Sequence, residues 1–246
     1  MPEDTFDLVQ AQAELRDKNP RVILKTALAA FENIAISFSG AEDVVLVDMA
    51  SKIKPGLTVF TLDTGRLHAE TYRFIEEVRN RYPVNLAVVS PDADELSRMV
   101  GEKGLFSFLR DGHGECCGIR KVKPLRKFLG KFDAWVTGQR RDQSLTRLGL
   151  LEVELDAGFS TEERRLVKFN PLANWSSRQV WDHIEAYDVP INSLHRKGFV
   201  SIGCEPCTRP ILPNQHEREG RWWWEDATKK ECGLHLVEGA AKAVDK

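Results

Sequence analysis

The sequence predicts an α/β fold, a mostly parallel sheet flanked by helices and followed by a C-terminal tail. A β-rich run, Asn33 to Phe38, ends in the small polar turn Ser39-Gly40-Ala41-Glu42-Asp43 and passes into an apolar helical stretch, Val44 to Ala50. A second run, Leu57 to Leu62, repeats that order through Asp63-Thr64-Gly65-Arg66-Leu67-His68. Repeated strand, turn and helix units build parallel sheets whose ligands sit at the strand carboxyl ends. The length, 246 residues, lies within the range of one such domain with a sizeable core.

Ahead of the first strand, Phe6, Leu8, Val9 and Leu15, then Val22, Leu24, Leu28 and Phe31, read as one or two amphipathic helices broken near Asn19-Pro20. They suit packing or oligomer contacts. The turn at 39–43 delivers small residues to a helix N-terminus, where free backbone N–H groups bind anions, and Ser37 and Ser39 add hydroxyl donors. An ordinary helix cap is the other reading of the same residues. Asp63 is either a ligand neighbour or the hydrogen-bonding residue of its own turn. Val84 to Val89, closed by Ser90-Pro91, gives a third strand, and Asp92 to Val100 a helix.

Ile119, Val122, Leu125, Phe128 and Leu129 recur at helical spacing, but Pro124 falls inside the pattern and must kink or reset it. Ala134 to Thr137 is a strand with a polar turn, Gly138 to Ser144, at its carboxyl end. Arginine forks grip phosphate and sulfate oxygens with paired bonds, so Arg140, Arg141 and Arg147 are ligand candidates, with salt bridges as the alternative. Val153–Leu155 and Leu166–Phe169 read as outer strands, and Ser177 to Tyr187 as a helix capped by Ser176 or Ser177. Beyond it Pro190, Pro206, Pro210 and Pro213 break up regular structure. Trp222, Trp223 and Trp224 either anchor the C-terminal segment or stack on a ligand, anchoring being the preferred reading.

Four of the five cysteines form two doublets, Cys116-Cys117 and Cys204-Glu205-Pro206-Cys207; the fifth, Cys232, stands in Glu231-Cys232-Gly233-Leu234-His235. One Cys-x-x-Cys pair is a redox disulfide or half of a metal site. Adjacent thiols are awkward ligands for one tetrahedral zinc ion, whereas a cubane offers separate iron corners, so an iron–sulfur site is favoured over zinc. Unconnected buried thiols are the remaining possibility. Arg120, Lys121 and Lys123 crowd the first doublet; such a run is usually a solvated face, but cations beside thiolates stabilise the charged form.

The Cys-Cys doublet in CCGIRKVKPL, the later GCEPCTRP and the terminal ECGLH together resemble the assimilatory adenylyl-sulfate (APS) reductases of the bacterial iron–sulfur type, within the PAPS reductase family. The likeness runs from about residue 33 to residue 235. It implies a Rossmann-like adenine nucleotide α-hydrolase fold, with Ser39 to Val44 resembling its PP-loop. Ala41 and Val44 depart from the SGGxDS form of that loop, which puts ATP cleavage in doubt and suits a phosphosulfate. It further implies a [4Fe–4S] cluster on Cys116, Cys117, Cys204 and Cys207, Cys232 as nucleophile with His235 nearby, and Lys121 reaching the substrate's sulfate. Ser37, Ser39, Gly40, Asp63, Thr64, Gly65, Arg147, Arg218 and Arg221 would contact substrate, Arg147 through the GxRRxQSxxR pattern.

The implied reaction reduces adenosine 5′-phosphosulfate to sulfite and AMP through an S-sulfocysteine, with thioredoxin as the dithiol reductant, in sulfate assimilation and cysteine biosynthesis. A PAPS reductase and an iron–sulfur redox sensor are the alternatives. The expected organisation is one domain: a helical segment at 1–32, the nucleotide- and cluster-binding part at 33–213 and a mobile catalytic tail at 214–246. A homo-oligomer is expected. A net charge of −2 gives no basis for nucleic-acid binding, and no apolar run is long enough to span a bilayer. An odd cysteine count without an export signal points to the cytoplasm.

Overall fold

Short apolar runs, buried on both faces in the four central strands, pair into one six-stranded sheet in a computed structural model that describes residues 6–144 and 147–226. The strands are β1 (Ile34–Ser37), β2 (Thr58–Leu62), β3 (Asn85–Val89), β4 (Ala134–Val136), β5 (Val153–Leu155) and β6 (Val167–Phe169), in the order β3-β2-β1-β4-β6-β5. All neighbours are parallel except β5 with β6. Ile36 lies opposite Val59 on one side and Val136 on the other. Leu166–Phe169 is therefore not an outer strand: β6 pairs on both edges, as its complete burial requires, and only β5 is outermost on that side.

Alternation along the strands divides the core. Ile34, Ile36, Val59, Ala134 and Val136 face the layer formed by α1 (Leu8–Leu15), α2 (Pro20–Ala30), α3 (Ala41–Ser51), α4 (Ala69–Arg81) and α9 (Ser177–Tyr187). Ala35, Phe60 and Trp135 face the opposite side, with Leu125 and Leu129 of α8 (Lys123–Leu129). Almost every residue of α3 is buried, which is why its sequence is apolar without a polar stripe. Asp7 and Asn19 cap α1 and α2, accepting from the N–H groups of Gln10 and Arg21, and Pro20 opens α2 where no N–H is needed.

Between β3 and β4 run α5 (Ala93–Lys103), α6 (Ser107–Asp111) and α7 (Gly114–Cys117), then a π turn, Gly118–Val122, leading into α8. The reset expected at Pro124 is this turn. Pro124 has no N–H to donate, and the wider turn carries the Lys123 N–H to the Gly118 carbonyl immediately before it. After α9 the described chain forms short 3₁₀ turns, Ser193–Lys197 and Glu205–Cys207; a bridge ties Cys204 to Leu67 in the turn after β2, and another ties Thr208 to Arg221 in the last described segment. Among the described residues no helix is long and apolar enough to cross a membrane.

Candidate active site

The strand order reverses between β1 and β4, and the carboxyl ends of two strands that diverge in this way leave a crevice between their loops. A cavity of about 230 Å³ occupies it, lined by the turn after β1, the loop after β4 and the last described segment. Ser37, Ser39, Gly40, Thr64, Lys121, Arg147, Arg218 and Arg221 all line it. Asp63 and Gly65 do not: the Asp63 carboxylate accepts from the Gly65 N–H at 2.8 Å and the Tyr72 hydroxyl at 2.7 Å, which is the turn-forming role.

The turn after β1 differs from the open anion site its sequence suggests. Asp43, in the first turn of α3, reaches back so that Oδ2 accepts from the N–H groups of Ser39 (2.8 Å) and Gly40 (3.1 Å) and from Ser39 Oγ (2.7 Å). Its Oδ1 accepts the Gly138 N–H at 3.0 Å, tying β1's turn to β4's. Burial pushes the Asp43 carboxyl up to about 6, against the Ser39 hydroxyl and with help from Glu42. A Cβ on Gly138 would stand 2.5 Å from Asp43 Oδ1 and 2.8 Å from the Glu42 Cβ. Gly138→Ala is therefore expected to cost about 1–3 kcal/mol through forced displacement of this junction, read from urea midpoints. An unchanged midpoint would mean the junction is not tightly packed.

Arg140 and Arg141 are structural. Arg140 is fully buried and its guanidinium holds Glu42 (3.0 Å), Glu217 (3.1 Å) and Asp142. Arg141 bonds the Leu150 carbonyl at 2.7 Å, Asn174 and Glu152. Burial pushes Glu217 up to about 7, although Arg140 opposes it. Between about pH 4.5 and 7 the folded chain thus keeps a proton that the unfolded chain has lost, so the Glu217 contribution to stability falls as pH rises through that window. Glu217→Gln should remove that downward slope from denaturation midpoints taken in pH steps, and an identical slope in both proteins would count against the shift.

The cations gather at the other end of the cleft. Lys121 is buried with its ammonium 6.0 Å from the Trp222 ring centroid, and the Arg221 guanidinium lies 4.5 Å over the same ring. Arg221 also reaches Ser201 Oγ at 3.4 Å and passes so close to Gly203 that a side chain there would collide with it. Arg147 donates to Gln143, whose own amide holds Glu42 at 3.1 Å.

Behind this cationic end lies a second, smaller cavity. Cys116 and Cys117 on α7 and Cys204 and Cys207 around the last 3₁₀ turn are all buried, all free of disulfides, and line it together with Arg66, His113, Arg120, Lys121 and Trp222. Lys121, Cys204 and Trp222 line both cavities. Thr64 Oγ1 sits 3.2 Å from Cys204 Sγ, and Arg120 anchors to the Thr64 carbonyl at 2.6 Å. Burial raises the Cys116 thiol and pushes Cys207 up to about 12. Burial acts the same way on Cys204, but Lys121, the Thr64 hydroxyl, Arg221 and Arg120 outweigh it and leave that thiol lowered. Four thiols among cations are a donor set for a tetrathiolate centre, whose negative charge the cations offset. Among the described residues no three such donors converge on the position of a single ion.

Several residues here carried no sequence signal. His113 binds Glu225 through both its backbone N–H (2.9 Å) and Nδ1 (2.6 Å) and stacks on Trp222 at 4.4 Å. Gln139, at the variable position of the GxRRxQSxxR pattern, and His195, in the 3₁₀ turn after α9, also line the cleft. The three tryptophans divide: Trp222 is buried between the cavities, Trp224 packs on Phe108 at 5.6 Å, and Trp223 is exposed. Cys232 and His235 lie outside the described residues.

Residues 33–210 match the family model described as the phosphoadenosine phosphosulfate reductase domain. A protein of Pseudomonas aeruginosa (strain LESB58) named adenosine 5′-phosphosulfate reductase is 59% identical over 240 residues, spanning 97% of this chain and 90% of its own. One of that name from Burkholderia cepacia is 43% identical over 92% of this chain and 84% of its own. The probable 5′-adenylylsulfate reductase 1, chloroplastic, of Oryza sativa subsp. japonica is 53% identical over 90% of this chain but only 48% of its own length. In fold, the chain is similar to phosphoadenylyl-sulfate (PAPS) reductase from Candida auris, with a TM-score of 0.69 and 24% identity over 85% of this chain and 99% of that one. It is also similar to yeast FAD synthetase, with a TM-score of 0.56 and 16% identity over 83% and 68%. The Rossmann-like, PP-loop type of architecture expected from the sequence is the one found.

Proposed function

Because the chain belongs to the phosphoadenosine phosphosulfate reductase domain family, and is an oxidoreductase acting on sulfur like its named relatives, we propose that it reduces adenosine 5′-phosphosulfate to sulfite and AMP. One observation supports this above the rest: a cleft at the sheet's switch point whose cationic end shares Lys121, Cys204 and Trp222 with a chamber of four thiols. The apolar walls, among them Phe38, Phe60, Leu62 and Phe74, suit a purine. Lys121, Arg147, Arg218 and Arg221 suit the phosphosulfate.

In this reading the Cys232 thiolate attacks the sulfuryl sulfur, a new S–S bond forms, and the sulfur–oxygen bond to phosphate breaks with its electron pair leaving on AMP. Lys121 and the arginines balance charge on the leaving phosphate and on the transferred group, and His235 follows the nucleophile by three residues in sequence. A thiolate of thioredoxin then attacks Cys232 Sγ and sulfite departs with the bonding pair. The second thiol of thioredoxin closes its disulfide and frees Cys232, so the dithiol supplies both electrons. Cys116, Cys117, Cys204 and Cys207 would hold a [4Fe–4S] cluster, which when bound supplies structural order and a fixed charge beside Lys121. The same reading places the protein in the cytoplasm, in sulfate assimilation toward cysteine, as a homo-oligomer; Val9 and Val22 stand exposed on the N-terminal helices as contact candidates.

The test is sulfite release by anaerobically purified protein given thioredoxin and its reductase, with APS and PAPS in parallel. Strong preference for APS is expected. Activity with neither would overturn the reading, and preference for PAPS would correct its substrate.

A further inference from the structure

Two residues that line the cleft carry buried acceptors. Gln139 is 5% exposed, and its buried Oε1 has no hydrogen-bond partner. His195 Nδ1 lies 2.8 Å from the Phe199 carbonyl, which can only accept, so the proton sits on Nδ1. That leaves Nε2 as a lone pair, also buried and without a partner. Beside them stand the carboxylates of Asp43 and Glu42: Gly138, next to Gln139, bonds Asp43, and His195 feels the charge of Glu42. Two orphaned acceptors in one cavity are costly unless a ligand brings donors.

The donors nearest this pair are committed elsewhere. Arg140, next to Gln139, is held by Glu42, Asp142 and Glu217, and the Ser39 and Gly40 N–H groups that would cradle an anion are taken by Asp43. A sugar hydroxyl satisfies such a pole by donating. A phosphate monoester dianion has no hydrogen to donate and meets lone pairs and carboxylates.

We propose that Gln139 and His195, backed by Asp43 and Glu42, receive the ribose of the bound nucleotide and select the one whose 3′-hydroxyl is free over the one that carries a 3′-phosphate. This rests on the nucleotide reading of the cleft and makes these residues the source of preference for APS over PAPS.

The experiment is calorimetric titration of the full chain with AMP and with adenosine 3′,5′-bisphosphate. The wild type should bind AMP at least about tenfold more tightly. Gln139→Lys puts a cation where a lone pair was, and should move the affinity ratio about tenfold toward the bisphosphate. His195→Lys, made separately, guards against misfolding of the first variant and should move it the same way. Equal binding of both ligands by the wild type, or an unmoved ratio in folded variants, overturns the assignment while leaving the nucleotide site intact. Binding of neither ligand removes the nucleotide reading itself.

Discussion

Cys232→Ser is expected to lower sulfite release by roughly 10⁴-fold or more, because a hydroxyl at this position has no thiolate form and cannot carry the sulfo group to a dithiol. AMP affinity should stay within about twofold, since the arginines and the apolar walls of the cleft are untouched. Glu225, held by His113 at the edge of the thiol chamber, fixes the chain one residue before Asp226, and 232 − 226 = 6 further residues span at most about 20 Å. Mass spectrometry after one turnover without reductant adds a second reading: the wild type should carry a sulfo group on Cys232 and the variant none. Sulfite release within tenfold of wild type, or a sulfo group on another residue, would mean that Cys232 is not the nucleophile.

Lys121→Gln should lower kcat/KM by about 10²–10³ while the iron content per chain is unchanged. Lys121 is buried between the two cavities, where a positive charge acts at low dielectric on both the thiol side and the cleft side. Glutamine keeps the length and one polar tip but removes the charge. Iron assay and steady-state kinetics on the same anaerobic preparation separate the outcomes. Loss of iron with activity per remaining cluster unchanged would make Lys121 a support for the cluster rather than a contact of the substrate.

The strands β1 to β4 were legible because runs such as Ile34-Ala35-Ile36 and Thr58-Val59-Phe60 carry a β-branched and aromatic signal and end in turn residues. The helix after Ser176 was legible from its cap: the Ser176 hydroxyl accepts the Gln179 N–H at 3.3 Å, and Gln179 returns the bond to the Ser176 N–H. The inner position of β6 was not, since strand order depends on pairings between distant segments that leave no local trace. Asp43 was half legible. An acid three residues after the glycine is a capping signature, but whether it fills the anion site or leaves it open is decided by its side-chain direction. Arg140 and Arg147 share one motif, yet one is a buried tie and the other lines the cleft, a division set by three carboxylates from separate parts of the chain. Gln139 fell on the variable position of the arginine pattern and His195 on none, because an orphaned lone pair exists only once the cavity does.

The π turn at Gly118–Val122 fixes the phase between two faces of the same helical rod. An α-helix advances about 100° per residue, so the extra residue rotates everything before it by that much relative to everything after. With it in place, Cys116 and Cys117 point into the thiol chamber while Leu125 and Leu129 of α8 stay in the core against Trp135. Deleting a single residue between 118 and 122 would let the segment wind as ordinary α-helix, and its two ends could no longer both face inward. Either the apolar face would swing toward solvent or the thiols would turn from their partners at 204 and 207. Such a deletion strikes the four-thiol chamber and the packing at one stroke, and point substitutions that keep the chain length would spare that phase.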